Sequence, residues 1–447
     1  MRSRRPPAAR AQRIPYAPEV SEVTERPAVL VACADSLEYL RAIPDGTYHA
    51  CVTDPPYGLG DPPDPADVLQ QWATAGDWHP RSGKAKGFMG AAWDKFVPGP
   101  AIWREVYRVL KPGAYCAVFA GTRTWDWMSL ALRFAGFEVT DTLMWLHGQG
   151  FPKGGDVGKR IDEMLGAECE VVGEHPAPAH NHEGDAARMN HSTGEALLTV
   201  PATPEAARWH DCSTTLKPAW EPIILAQKPH QGSAARNCVE HGVGALRVGA
   251  CRIATAESTR RENKADLQWE GGPGKGESGY TTGSDGGRWP ANLALDEEAA
   301  AALDAQSGDL PARDGANKGA LVPSYCGGKA GWNVPANERV SVKRRDNGAS
   351  RFFYCAKANK GDRDEGLDGD ARNRHPTVKP EALMRWLSRL VCPPWGELLD
   401  PFAGSGSTGK AAALEGLRAT CVEREPDFAE VARARVAAAL RRAAESA

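Results

Sequence analysis

With 447 residues, 42% of them hydrophobic and 25% charged, the chain is long enough for two or three domains and can furnish at least one large core. A formal charge of −3 excludes a uniformly basic coat for nucleic acid but is compatible with a local basic groove. No apolar run reaches the length of a membrane span and the N-terminus lacks a secretion signal's hydrophobic core, so a cytoplasmic protein with no membrane partner is expected.

The opening "MRSRRPPAARAQRIPYAPE" is basic, proline-rich and poor in large aliphatics, which predicts a disordered tail over residues 1–27. Next, "AVLVACADSLEYLRAIPDGTYHACVTDPPYG" reads as strand, acidic turn, short helix, turn and strand: Val29 to Cys33 is apolar, and Leu37, Leu40 and Ile43 recur at helical spacing. In "AIWREVYRVLKPGAYCAVFAG", Ile102, Val106, Val109 and Leu110 form one helical face, "KPG" is expected to stop the helix, and Tyr115 to Ala120 reads as a buried strand. A helix over "WDWMSLALRFAG" and a strand over "FEVTDTLMWL" follow. These alternations predict an α/β fold.

From about Gly148 to Asn373 the texture changes to glycine, proline and charge, with brief apolar runs such as "WEPIILAQ" and "RFFYC". Such a block does not extend a βα repeat and reads as an inserted lobe with long loops. After it the earlier grammar returns: helix in "PEALMRWLSRLVCPP", strand and glycine turn in "GELLDPFAGSGSTG", helix in "KAAALEGL", strand in "RATCVERE" and a closing helix. One α/β domain is thus built from both ends of the chain.

The 11 cysteines are scattered singly and no CxxC pair occurs, which reads as reduced thiols. Cys238, His241 and Cys251 have metal-like types, but their spacing matches no zinc pattern, and no metal is expected.

Gly404, Gly406 and Gly409 spell GxGxxG after a strand and before a helix, where backbone approaches a nucleoside cofactor closely. Glu423 closes the next strand, where an acid can bond to ribose hydroxyls. Taken alone, the pattern also fits a tight turn with glycines for packing. Ala411 follows Lys410 where a P-loop needs Ser or Thr, and only one strand and one helix remain after the turn, which disfavours an NAD-binding domain. "HPTVKP", residues 375–380, stands just before the helix leading into this turn, as a loop framed by prolines or as a lip over the cofactor pocket.

"TDPPYG" early, "HPTVKP" late and "DPFAGSGSTG" just after it resemble the S-adenosylmethionine-dependent DNA amino-methyltransferases of the β arrangement. In that family the catalytic tetrapeptide precedes the target-recognition region and the cofactor loop follows it. The resemblance covers roughly residues 28–150 and 373–440. It implies a doubly wound, mostly parallel, Rossmann-like sheet with a large inserted target-recognition lobe. Residues 28–150 would be the N-terminal part of the methyltransferase domain, 151–372 the insertion and 373–447 the C-terminal part.

Carried over by position, the resemblance makes Asp54, Pro55, Pro56 and Tyr57 the catalytic motif. It assigns to the cofactor Asp35 near the adenine, with Ala34 where the family has glycine. Asp400, Phe402, Ala403, Gly404, Ser405 and Gly406 follow around the turn, with Glu423 on the ribose. His375, Thr377, Lys379 and Pro380 fall near the methionine end. The implied cofactor is S-adenosyl-L-methionine and the implied partner is double-stranded DNA, with room for a homodimer and for a cognate restriction enzyme.

An exocyclic amino group is a poor nucleophile because its lone pair is delocalised into the ring. Asp54 and the Pro55 carbonyl, held stiffly by two prolines, are suited to accept its two hydrogens, and Tyr57 to stack on a flipped base. The chemistry requires no metal and no covalent intermediate. Lys153, Lys159 and Arg160, in the glycine-hinged "GQGFPKGGDVGKR", are the candidate phosphate contacts. Trp125, Trp127 and Trp145 read as core rings or base-stacking rings.

N6 of adenine is the favoured target by likeness, with N4 of cytosine, RNA or protein as alternative methyl acceptors. The rivals from other classes are an NAD-dependent oxidoreductase, which leaves "DPPY" unexplained, and a nucleic-acid-binding protein without catalysis.

Overall fold

A computed structural model describes residues 28–60, 62–80, 94–148, 155–174, 197–255, 261–262, 281–282, 286–307, 348–356, 361–367, 372–375 and 377–445; the expected N-terminal tail lies outside them. β1 (Val29–Cys33) is followed by Asp35, whose carboxylate accepts the amides of Leu37 and Glu38 and so caps α1 (Ser36–Arg41). β2 (Tyr48–Thr53) is buried except at His49 and runs straight into the proline pair. α2 (Pro65–Thr74) and α3 (Pro100–Val109) both open on proline, where the missing N–H would have had no helical partner. β3 (Leu110–Phe119), α4 (Trp125–Ala135) and β4 (Glu138–Leu146) complete the first segment.

Lys111, Pro112 and Gly113 were expected to separate helix from strand, yet they lie inside β3. The pairing of β3 with β2 shifts register between Tyr48 and Ala50, and Gly113 sits at φ 79°. A bulge absorbs the glycine and lets the strand begin earlier.

Farther along come α5 (Val157–Leu165), β5 (Glu170–Glu174), β6 (Leu197–Val200), α6 (Pro204–Arg208), β7 (Trp220–Gln227), α7 (Ala234–His241), β8 (Arg261–Glu262), β9 (Thr281–Thr282), β10 (Leu293–Asp296), α8 (Glu297–Ser307) and β11 (Tyr354–Ala356). The last segment holds α9 (Glu381–Val391), β12 (Glu397–Asp400), α10 (Ser407–Leu414), β13 (Arg418–Glu423) and α11 (Pro426–Glu445). Among the described residues, no helix is long and apolar enough to cross a membrane.

Nine strands join in the order β1-β13-β12-β2-β3-β7-β4-β10-β11. The first five are parallel, and β7 runs antiparallel along β3 with Ile223 opposite Phe119. The fold is therefore α/β with a large, mostly parallel sheet. Chain order runs outward in opposite directions from the β12/β2 pair, to β13 on one side and β3 on the other. That makes the crevice beyond the carboxyl ends of β12 and β2 the topological switch point, where open α/β sheets bind ligands.

The chain forms two compact units. One comprises the described parts of 1–144, 221–294 and 350–447, and the other those of 145–220 and 295–349. This differs from the expected single insertion over 151–372: residues 221–294 belong with the first unit because β7 hydrogen-bonds along β3. In the second unit, β5 and β6 form an antiparallel pair, and the buried Asp162 carboxylate accepts from the amides of Ala202 and Thr203 and from the Thr203 hydroxyl.

The core of the first unit packs Trp72, Trp103, Val106, Met128 and Leu132 against β2 and β3. Trp127 meets Trp72 edge-on at 5.6 Å, so it is a core ring, whereas Trp125 is exposed. Burying each such large side chain contributes about 1.5–3 kcal/mol.

A second feature of this unit is charged. Lys410 and Arg435 are fully buried, and Lys410 faces Asp362, Glu365 and Glu381 while Arg435 and Arg442 close the cluster. A lysine that follows a glycine turn in sequence is thus turned inward as a counter-ion. Removing one partner strands the others in a medium that solvates them poorly. Lys410→Met is expected to lower unfolding free energy by about 3 kcal/mol or more in urea titrations, whereas Arg236→Ala, which breaks an exposed pair with Glu240, leaves the midpoint nearly unchanged.

Candidate active site at the switch point of the sheet

Four parallel strands end in a row and deliver acids to the same edge. Cys33 of β1 is opposite Glu423, Asp400 of β12 is opposite Cys421 of β13, and Asp54 follows the last residue of β2. Because β12 pairs directly with β2, the "DPPY" stretch and the glycine turn, more than 340 positions apart in sequence, emerge from adjacent strands.

The strand ends are tied together below the site. Thr53 donates its hydroxyl to Asp400 at 2.6 Å, and the Phe402 amide donates to the same carboxylate oxygen at 3.0 Å. Burial pushes the Asp400 carboxyl up from 3.8 to about 6; the hydroxyls of Thr408 and Thr53 and the Phe402 amide oppose that shift, and the Asp54 charge adds to it. Phe402 rests on Trp103 with ring centres 5.9 Å apart.

Above this, Asp54 sits on its proline stalk with both carboxylate oxygens engaged. The Tyr57 hydroxyl donates to one at 2.8 Å, and the Lys379 ammonium donates to the other at 2.5 Å. Tyr57 also donates to Glu221 at 2.8 Å, and Lys379 lies 3.4 Å from the same Glu221 oxygen. Thr124 fixes the tyrosine from behind by donating to its carbonyl at 2.6 Å.

Burial works against the Lys379 charge, but Asp54 and Glu221 outweigh it and hold the ammonium above its ordinary range. The group stays protonated throughout the neutral range. Burial first, and then the same two carboxylates, push the Tyr57 phenol well up.

The glycine turn is shaped by what surrounds it. Gly404 and Gly406 have φ of 52° and 80°, values that L side chains rarely adopt. A Cβ on Gly404 would stand 2.8 Å from the His375 ring, and one on Gly406 would stand 2.8 Å from Ala432. At Gly409 the limit is space alone: a Cβ would press on Cys421 and Val436, so this glycine allows close packing of helix on strand.

Glu423 accepts the Gly404 amide at 2.7 Å with one oxygen and the Glu425 amide at 2.8 Å with the other, which pins the turn to the end of β13. Burial raises its pKa. Ala403 is buried, and Ser405 turns inward, its carbonyl and hydroxyl accepting from Arg435.

His375 closes the site on the loop side. Its Nδ1 is 2.8 Å from the Thr377 carbonyl, its ring meets Phe428 edge-on at 4.7 Å, and burial lowers its pKa. Arg363 holds the loop by donating to the carbonyls of Asn373 and His375. Thr377 is exposed, and Pro380 stands at the N-terminus of α9.

Thus the fold brings together Asp54, Pro55, Pro56, Tyr57, His375, Lys379, Asp400, Phe402, Gly404, Gly406 and Glu423. Asp35 lies one strand farther out, exposed, with its carboxylate serving as the α1 cap. Lys159 and Arg160 are exposed on α5 in the second unit, and Lys153 lies outside the described residues. A separate cavity of about 530 Å³, lined by Asp45, Tyr107, Arg108, Lys111, Lys228 and His241, opens near the start of β3, at the opposite end of that strand.

Sequence reasoning missed two acids. Glu221 begins the apolar run "WEPIILAQ", and Asp94 accepts the Gly58 amide at 2.7 Å behind the tetrapeptide. An acid opening an apolar strand was the signal available for Glu221.

Comparison with known proteins supplies the family. Residues 48–434 match the family model for DNA methylases of the N6/N4 methyltransferase type, a span that contains β2, the tetrapeptide and the glycine turn. The chain belongs to this DNA methylase family. A curated relative, the type II methyltransferase M2.DpnII of Streptococcus pneumoniae, is 37% identical over 65 residues; the match spans 14% of this chain and about a quarter (24%) of that protein's length.

Among solved structures, the DNA modification methylase TTHA0409 of Thermus thermophilus with S-adenosyl-L-methionine shares 16% identity at a TM-score of 0.34, covering 92% of this methylase and 95% of that chain. The cytosine-N4-specific PvuII DNA methyltransferase shares 11% identity at a TM-score of 0.40, covering 92% and 89%. Membership of the methylase family rests on the family model.

The Asp400 carboxyl yields a test of this geometry. Its folded-state pKa, about 6, exceeds its ordinary 3.8, so the native state holds the proton more tightly and its contribution to stability is lost as pH rises between those values. Asp400→Asn is expected to match the parent near pH 4 and to gain up to about 3 kcal/mol by pH 8. Urea midpoints across that range check it; parallel pH profiles for the two proteins would contradict it.

Proposed function

We propose that this methylase transfers a methyl group from S-adenosyl-L-methionine to the exocyclic amino group of a base flipped out of double-stranded DNA, with N6 of adenine the first choice. The observation that carries the reading is the position of Asp54: a carboxylate on a rigid stalk at the switch point, one strand from a glycine turn whose acid partner is Glu423.

The residues present fit that cofactor. Glu423 offers a carboxylate at the strand end for ribose hydroxyls, the turn at Gly404 and Gly406 leaves no side chain between backbone and ligand, and Asp35 is exposed at the end of the next strand. Asp400, Phe402 and Ala403 support the turn from β12, and Ser405 braces it through Arg435. His375, Thr377, Lys379 and Pro380 form the lip beside Gly404. When bound, S-adenosyl-L-methionine supplies an electrophilic methyl group on a sulfonium.

The protein's own part is positioning. Asp54 and the Pro55 carbonyl accept the two amino hydrogens and favour a pyramidal nitrogen, while the two prolines keep both acceptors aimed. The Tyr57 ring, fixed at its hydroxyl and at its carbonyl, offers a face on which the base stacks, offsetting the few kcal/mol that flipping costs. Exposed Lys159 and Arg160 suit phosphate contacts.

Expression in a host free of DNA methylation, followed by base-resolved mapping, tests this reading. N6-methyladenine at a fixed site is expected, with Asp54→Ala reducing the rate by about a hundredfold or more. N4-methylcytosine would replace the adenine assignment, and methyl transfer to RNA or protein with none to DNA would overturn the substrate class.

A further inference from the structure

Asp54 shares its site with a second carboxylate that the proposed chemistry does not use. Glu221 is the second residue of β7, and because β7 runs antiparallel along β3, it stands where β3 finishes, at the same edge of the sheet as Asp54. Ala120, just past β3, donates its amide to the Pro222 carbonyl at 3.0 Å, which fixes the backbone on either side of this meeting point.

The two acids and Lys379 form a closed group: 2.5 Å from lysine to Asp54, 3.4 Å from lysine to Glu221, and the Tyr57 hydroxyl donating at 2.8 Å to both acids. The lysine side chain is 5% exposed, and its ammonium lies 5.3 Å from the Tyr57 ring centre and 5.0 Å from that of Phe119. His375 and Asp400 are the other titratable groups that feel Asp54.

Charge counting gives this group a meaning. If the amino nitrogen gives its lone pair to the methyl carbon, the C–S bond breaks with its electron pair left on sulfur. Positive charge then moves onto nitrogen until a proton leaves for water. Asp54 stabilises that charge only to the extent that its own is not cancelled, and a buried ammonium at 2.5 Å cancels most of it. Two carboxylates and one ammonium sum to −1. With Glu221 present, the lysine has a partner of its own and the Asp54 charge remains for the nitrogen.

We infer that Glu221 is a positioning residue for the methyl transfer: it holds Lys379 and thereby leaves Asp54 with the net negative charge that faces the target amino group. The inference rests on the reaction proposed above. Glu221→Gln is the informative variant because the amide oxygen still accepts from Tyr57 while the charge is lost.

The test compares wild type, Glu221→Gln, Lys379→Met and the double variant in single-turnover methylation of DNA, with KM measured for both substrates. Glu221→Gln is expected to slow the chemical step by about tenfold to a hundredfold with KM changed by less than about threefold. Lys379→Met, which restores a net charge of −1, is expected to relieve most of that loss in the double variant. An unchanged rate in Glu221→Gln, or the same fractional loss with and without Lys379, overturns the inference.

A second readout does not depend on activity: titration of the Lys379 side chain by NMR, its signal assigned by its loss in Lys379→Met. The ammonium is expected to titrate at lower pH in Glu221→Gln than in wild type, and an identical titration overturns the inference. If the wild type methylates no nucleic acid, the reaction proposed above fails on its own, and this titration still decides whether Glu221 holds the lysine charge.

Discussion

Pairing of β2 with β12, Ala50 opposite Leu398 and Cys51 opposite Leu399, is the contact on which the site depends. Each strand comes from a different end of the chain, and each ends in an acid or runs into one. Parallel strands in register present their carboxyl ends together, so one backbone ladder brings the Asp54 stalk beside the glycine turn. The 2.6 Å bond from Thr53 to Asp400 then locks the two strand ends at the level of the chemistry.

Rigidity around that junction comes from two kinds of burial. Aromatic packing around Trp72 and Trp103 lies on the side of β2 and β3, while α10, the helix that carries the glycine turn, is buried through Ala413 and anchored by Lys410 among carboxylates. The second arrangement yields little net stability compared with an apolar core of equal volume. Its effect is positional: Arg435 reaches both Ser405 in the turn and Asp362 in the acidic cluster, so the turn is braced from beneath by groups that cannot relax into water.

Much of this was legible in the residues themselves. "DPPY" after a strand, GxGxxG between strand and helix, and an acid closing the following strand each carry a local pattern, and all three fall at the same sheet edge. The less legible features depend on distant partners. Gly113 has the grammar of a helix stop and is instead a bulge, which only the register against Tyr48 and Ala50 decides. Glu221 sits in a stretch whose composition reads as insertion, and its place beside Asp54 follows from antiparallel pairing with a strand about a hundred residues earlier. Lys410 follows a glycine turn as a phosphate-binding lysine would, and its inward direction is set by Asp362 and Glu365, which no local rule links to it.

The most direct measurement is a crystal structure of the full chain with S-adenosylhomocysteine bound. The account predicts the ribose at Glu423, the nucleoside along Gly404 to Gly406, and the thioether sulfur facing Asp54 and Tyr57. A nucleoside seated against another part of the chain, with the tetrapeptide opening onto a different cavity, would contradict it.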